Sequence, residues 1–222
     1  MLREIERGLR RLVGRPFRVW PPVGRIRWGD LGGSAPISRK FGFERGRCVD
    51  RYYIERFLAS HAADIRGHVL EMADPGYTRK FGGDRVTKSD VLHLTADNPQ
   101  ATLVGDLAAA EFIPADSFDC IILTQTLPFI YEPRAALCHL RRILRPQGVL
   151  LVTVPGISHI SRWDMERGGD YWRFTSLAVR RLFAEFFTSN EVAVESYGNV
   201  LAAVALLQGL AVADLPAAAL LE

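Results

Sequence analysis

Four carboxylates stand where a regularly alternating chain would bring them to one edge. Glu71 and Asp90 each close an apolar run, Asp106 follows a third, and Asp74 sits in the turn after the first. Carboxylates so placed accept hydrogen bonds from hydroxyls and attract an ammonium group, and they repel phosphate. The turn itself, Ala73-Asp74-Pro75-Gly76-Tyr77, has a single glycine, and Pro75 contributes no N–H. A dinucleotide needs the close backbone approach of G-x-G-x-x-G, and a P-loop NTPase needs G-x-x-x-x-G-K-[ST]. Neither pattern is present. Pro75-Gly76 suits the middle of a tight turn instead. Asp90 follows Glu71 by 19 residues, close to the spacing at which an acid reaches a ribose hydroxyl pair.

These residues fit a ligand that has a ribose and a positive charge and lacks phosphate. S-adenosyl-L-methionine (SAM) meets all three conditions, with S-adenosyl-L-homocysteine as its spent form. The elements that must position such a site are legible in the periodicity. Arg51 to Ala63 carries Tyr53, Ile54, Phe57 and Leu58 at helical spacing, and short apolar strands follow at His68–Met72, Arg85–Asp90 and Ala101–Val104. Phe118 to Gln125 is a continuous apolar run, expected of a parallel strand covered on both faces. A helix over Arg134–Leu144, a break at Pro146-Gln147-Gly148, a strand over Val149–Pro155, a helix over Ser176–Phe187 and a strand over Glu191–Tyr197 complete the alternation. The expected fold is α/β, a Rossmann-like doubly wound and mostly parallel sheet, with an N-terminal helical extension and an apolar C-terminal helix from Val200. Ligands bind such sheets beyond the strand ends, which adds Thr124 and Gln125 to the cofactor candidates.

Composition narrows the class. The chain has 222 residues, 48% of them hydrophobic, and a net charge of +3, too small a charge to imply a nucleic-acid partner. Residues 1–30 hold eight arginines, and Leu2, Ile5, Leu9 and Leu12 recur at helical steps. A basic amphipathic helix is expected there, packed on its own domain or docking on a protein or an anionic membrane surface. The expected organisation is residues 1–49 as a basic extension and lid, and residues 50–222 as the cofactor-binding domain. Three widely spaced cysteines suggest no disulfide framework, and His61, His68, His93 and His139 show no ligand spacing, so no metal is expected. No transmembrane segment is expected, and a cytoplasmic location is the natural reading. The sequence leaves the oligomeric state open.

The segments "VLEMADPG", "LVGDL", "DSFDCIILTQTLPFIYEPRAALCHLRRILRPQGVLLVTVPG" and "GDYWRFT" together resemble the class I SAM-dependent methyltransferases, particularly those of bacterial small-molecule and glycan pathways. The resemblance covers roughly residues 50–200. It implies that Glu71, with Asp74 and Gly76, serves the amino-acid end of SAM, that Asp90 binds the ribose, and that Asp106 with Leu107 contacts the adenine. Thr124 and Gln125 fall where the family places cofactor or substrate contacts. The family's E-x-G-x-G-x-G retains only its glutamate here. By resemblance, Phe41, Phe43, Arg45 and Tyr52 would wall the acceptor pocket.

The implied reaction is methyl transfer to a small-molecule or sugar acceptor, most plausibly on oxygen. A hydroxyl acceptor benefits from a general base. The stretch after the fifth strand offers His159 as base and Asp170 to orient it, with Asp164, Tyr171, Trp172 and Arg173 as acceptor contacts and Trp163 as a further ring. Two other readings remain open at this stage. One is a catalytically silent scaffold that keeps the fold, and the other is a SAM-fold enzyme with different chemistry.

Overall fold

The computed structural model describes residue 21 and residues 24–220. Contacts divide the chain into Met1–Ala35 and Pro36–Glu222. In the first unit, the described residues include a 3-10 turn at Gly29–Gly32; the basic amphipathic helix expected over the first residues lies outside the described ones. The rest of the account concerns the second unit.

Its centre is a five-stranded, all-parallel sheet. The strands are β1 (Gly67–Met72), β2 (Val86–His93), β3 (Leu103–Val104), β4 (Phe118–Thr124) and β5 (Leu144–Thr153), in the order β3-β2-β1-β4-β5. Strand β4 shows why the apolar runs lack alternation. Its Cys120 and Ile122 join one core layer with Ile54, Leu58 and Ile65, while Ile121 and Leu123 join the other with Leu137, Leu140 and Ile143. The first layer is covered by helix α1 (Val49–Ser60) and the second by α2 (Pro133–Ile143). Each of these side chains is fully or almost fully buried, worth about 1.5–3 kcal/mol apiece for the larger aliphatic ones. Pro133 opens α2 at a position where its missing N–H costs nothing.

Chain order reverses between β1 and β4, and the strand ends there open a cleft. Three further helices are α3 (Arg162–Met165), α4 (Ser176–Phe183) and α5 (Val200–Gln208). Helix α5 forms where the apolar C-terminal helix was expected and packs Ala202 and Ala205 on Val49. Among the described residues, no helix is long and apolar enough to cross a membrane.

Two expectations are corrected. Pro146-Gln147-Gly148 does not separate helix from strand, because β5 starts at Leu144, directly after α2. Phe118 pairs with Leu144 and Cys120 with Val149, so the tripeptide loops out as a bulge, with Gln147 at φ 64. The segment Glu191–Tyr197 is not a strand. It walls the cleft opposite the free edge of β5 without joining the ladder, and the Val194 carbonyl accepts from the Arg180 guanidinium at 2.7 Å.

Residues 36–48 are tied to the chain after α5. The Ser38 N–H donates to the Gln208 carbonyl at 3.0 Å, the Val212 N–H donates to Arg47 O at 2.8 Å, Cys48 bridges to Ala211, and Arg45 grips Asp214 with two bonds of 2.8 and 2.7 Å. Gly209, at φ 66, makes this approach possible, since a Cβ there would lie 2.3 Å from Ser38 O. Gly209→Ala is expected to lower stability by about 1–2 kcal/mol from conformation alone, and by more once the Ser38 backbone is displaced. Urea denaturation should therefore show a clearly lower midpoint for Gly209→Ala than for wild type.

Candidate cofactor and acceptor cleft

A continuous open depression of about 2120 Å3 passes over the strand ends and along the free edge of β5 as far as Arg141, Gln147 and Glu191; the part over the strand ends is the candidate cleft. Its walls include Glu71 to Asp74 and Tyr77 after β1, His93 to Thr95 and Asp97 after β2, Gly105 to Ala108 after β3, and Thr124 to Thr126 after β4.

The loop after β1 is closed by its own carboxylates. Glu71, 3% exposed, accepts the Tyr77 N–H on Oε1 at 3.0 Å and the Thr78 N–H on Oε2 at 2.7 Å. Burial raises its pKa, and the bonds from Thr78 and Tyr77 oppose that rise. Asp74 Oδ1 accepts the Gly76 N–H at 2.8 Å. The remaining donors are spent on backbone: Ala73 N–H on Leu92 O, Asp74 N–H on Met72 O and Arg79 N–H on Pro75 O. Pro75 has none. Every backbone N–H present from Ala73 to Arg79 is thus engaged, and the loop offers no free backbone donor to an anion. Ala73 sits at φ 67, where a glycine would be relaxed.

Asp90 is the main correction to the expected site. Strand β2 runs three residues past it to His93, so Asp90 does not close the strand. It pairs with Leu70 in register and accepts from His68 Nε2 at 2.6 Å and Lys88 Nζ at 2.9 Å, away from the cleft lining. Burial pushes its carboxyl up, but the bonds from Lys88, His68 and Thr102 outweigh burial and hold it below the usual range. The carboxylate that does reach the cleft from β2 is Asp97, which lies 3.9 Å from His93 Nδ1 and accepts from the Thr95 hydroxyl. The signal missed in the sequence was the continuing strand pattern through Val91-Leu92-His93.

The other cofactor candidates face the cleft. Asp106 caps the turn Leu107–Ala109 by accepting the Ala108 N–H on Oδ1 at 2.8 Å, and its Oδ2 takes no hydrogen bond among the described residues. Leu107 is buried beneath it. Thr124 and Gln125 end β4, with Gln125 at φ 51 and its N–H on Thr153 O at 2.9 Å. Gly76 does not line the cleft, whereas Asp74 does.

On the acceptor side, the His159 ring stacks on Phe41 with centroids 3.8 Å apart. Its Nε2 is buried without a hydrogen-bond partner. Burial pushes its pKa down, with Arg173 adding to that and Asp50 and Asp170 opposing it, which leaves the imidazole neutral near pH 7. The expected orienting role of Asp170 is corrected. Its carboxylate is clamped by Arg173 at 2.5 and 2.9 Å and by the Ser161 N–H at 2.9 Å, and it makes no bond to the His159 ring. Arg173 in turn donates to the His159 carbonyl at 3.0 Å, so this pair fixes the backbone that carries the ring. Tyr171 and Asp164 line the cleft. Trp172 lies outside the cleft lining, its indole N–H on Ile130 O at 3.0 Å and its ring on Tyr131. Phe41 and Phe43 line the cleft as implied, joined by Tyr53 and Asp50; Arg45 is held by Asp214, and Tyr52 lies outside the lining. The thiols offer no nucleophile here, since burial holds Cys48 at about 11 and Cys120 at about 12. Among the described residues, no group of three His, Cys, Asp or Glu could hold a metal ion.

Residues 58–152 match the family model described as "Methyltransferase domain". No curated protein matches the chain. Among solved structures, a chain from the Haloferax volcanii complex of the Trm112 methyltransferase activator is 16% identical over 66% of this chain and 75% of its own, with a TM-score of 0.46. The YcgJ protein of Bacillus subtilis is 19% identical over 47% of this chain and 52% of its own, at 0.38. A SAM-dependent methyltransferase of Thermotoga maritima is 18% identical over 67% of this chain and 78% of its own, at 0.41. This chain therefore spans about half the length of the Bacillus protein. At these TM-scores the likeness is partial.

The doubly bonded Glu71 generates a direct test. Glu71→Gln keeps the shape but offers one acceptor oxygen, leaving the Tyr77 or Thr78 N–H facing an amide NH2. The expected loss is about 1–3 kcal/mol, read as a lower urea midpoint at unchanged m-value.

Proposed function

We propose that the chain is a class I SAM-dependent methyltransferase that methylates a hydroxyl oxygen of a small-molecule or sugar acceptor, a reading supported by the methyltransferase-domain match over residues 58–152. The observation that carries the choice of oxygen is the buried, unpartnered Nε2 of His159 in the cleft wall. A neutral amine can attack a methyl group unaided, whereas a hydroxyl is improved as a nucleophile by a base that takes its proton.

The cleft fits SAM by the chemistry of its donor set. A loop with no free N–H and two acidic side chains disfavours phosphates, and the carboxylates at the strand ends suit hydroxyls and an ammonium group. In this reading Asp97 and His93 take the ribose, Asp106 and Leu107 flank the adenine, and Asp74 faces the ammonium group. Thr124 and Gln125 border the boundary between cofactor and acceptor. When bound, SAM supplies a methyl group already activated by its sulfonium, so much of the rate comes from positioning.

This chain's own residues do the rest. Phe41 and the Arg173–Asp170 pair hold the His159 ring in place. An acceptor hydroxyl that reaches Nε2 would give up its proton there, with Arg173 opposing and Asp50 and Asp170 favouring the resulting imidazolium. Tyr171 offers a ring face and Asp164 a hydroxyl acceptor for a sugar. The free thiols of Cys48, Cys120 and Cys138 suit a reducing cytoplasm.

The test is a screen of mono- and oligosaccharides and small phenols with SAM, read by S-adenosyl-L-homocysteine release. For an accepted hydroxyl compound, the rate should rise with pH through a pKa below the usual histidine value and then level off. His159→Gln should lose about 10²-fold or more in kcat together with that rising limb. Equal methylation by His159→Gln would contradict the assignment. In calorimetric titration of S-adenosyl-L-homocysteine, Asp97→Ala should weaken binding at least tenfold, about 1.4 kcal/mol. Asp90→Asn should leave it unchanged.

A further inference from the structure

We propose that Arg51, on the first turn of α1, binds the carboxylate of the cofactor's methionine moiety, a task the loop after β1 cannot perform. The inference rests on the SAM reading of the cleft and adds a residue that reading does not assign. Its first support is the donor inventory. With Tyr77 and Thr78 N–H on Glu71, Gly76 N–H on Asp74, and the Ala73, Asp74 and Arg79 N–H groups on backbone carbonyls, a carboxylate at this loop would meet acceptors and negative charge. An ammonium group would be welcome there, next to Asp74. The carboxylate must therefore point to a cation beside the loop.

Arg51 is that cation. It lines the cleft with Glu71, Ala73, Asp74 and Tyr77, and its Nη1 donates to the Tyr77 hydroxyl at 3.0 Å. Its guanidinium also lies 6.0 Å from the Tyr77 ring centre. Tyr77 is the last residue of the loop, so Arg51 is held against the place where the amino-acid end would lie. Among the described residues, no carboxylate forms an ion pair with it. Asp50, its neighbour in the chain, accepts from the Arg51 backbone N–H at 2.8 Å. Among the other arginines of the cleft, Arg145 pairs with Asp119 and Arg173 with Asp170, while Arg141 lies over Phe187 and Arg167 over Trp163, so Arg51 is the one whose guanidinium contacts a residue of this loop. A half-buried guanidinium with only a phenol for company gains most from a planar, bidentate partner, and a carboxylate is that partner. The zwitterion is then oriented by two elements, ammonium toward Asp74 and carboxylate toward α1.

Calorimetry with two ligands on three proteins tests this. Wild type should bind SAM at least tenfold more tightly than decarboxylated SAM, which keeps the sulfonium and the ammonium. Arg51→Ala should bind the two ligands equally, with decarboxylated SAM bound as tightly as by wild type, and Arg51→Lys should recover part of the difference. Circular dichroism melts of each variant establish that it is folded. The inference is overturned if folded Arg51→Ala binds SAM like wild type, or if it loses affinity for both ligands equally. If wild type binds neither ligand, the SAM reading falls and the inference with it.

Discussion

The site depends on one buried carboxylate that accepts two backbone N–H groups. By taking Tyr77 and Thr78 at once, Glu71 sets the path of the chain from the end of β1 into the single wide turn at Thr78–Gly82. A glycine-rich loop leaves its amides free for a ligand. Here a side chain of the protein has already filled them, and Ala73 adopts φ 67 to let the chain turn. The consequence is electrostatic as well as geometric. The loop presents acceptors and negative charge, so it disfavours phosphate and, in the reading proposed above, leaves anion recognition to a neighbouring element.

That neighbouring element is α1, and its position is fixed from two sides. Ile54 and Leu58 bury against the strands, while the stretch before the helix is clasped to residues 208–214 through Gly209. The same clasp brings Phe41 onto the His159 ring. Cofactor side and acceptor side are thus linked through residues 36–60, which precede the first strand. The acceptor loop is held in turn by the Asp170–Arg173 pair, which anchors the His159 backbone, while the buried Nε2 of the ring takes no hydrogen bond.

The layered core was legible in the sequence because strands covered on both faces read as unbroken apolar runs; Phe118–Thr124 is the clearest case. Strand ends were less legible. Asp90 looked terminal because a carboxylate usually stops an apolar run, yet its charge is met inside the sheet by His68 and Lys88 and the strand continues to His93. Only register reveals this. The alternation of Glu191–Tyr197 suggested a strand, but period alone cannot supply a ladder partner, and none is present among the described residues. Asp170 was recognised as important, but its role depended on Arg173 three residues on, whose guanidinium claims both its oxygens. Glu71 was open to either a ligand or a structural role, and which amides its oxygens would accept, those of Tyr77 and Thr78, was not legible in the sequence.

The central claim is that the loop after β1 is saturated by its own carboxylates and binds its ligand without releasing them. Residue-resolved amide hydrogen exchange over residues 73–79, with and without S-adenosyl-L-homocysteine, tests it most directly. The account predicts protected Gly76, Tyr77 and Thr78 amides in the free protein, and the same or greater protection in the complex. Fast exchange at these amides in the free protein, slowed only when ligand is added, would mean that the ligand and not Glu71 and Asp74 satisfies them, and would contradict the account.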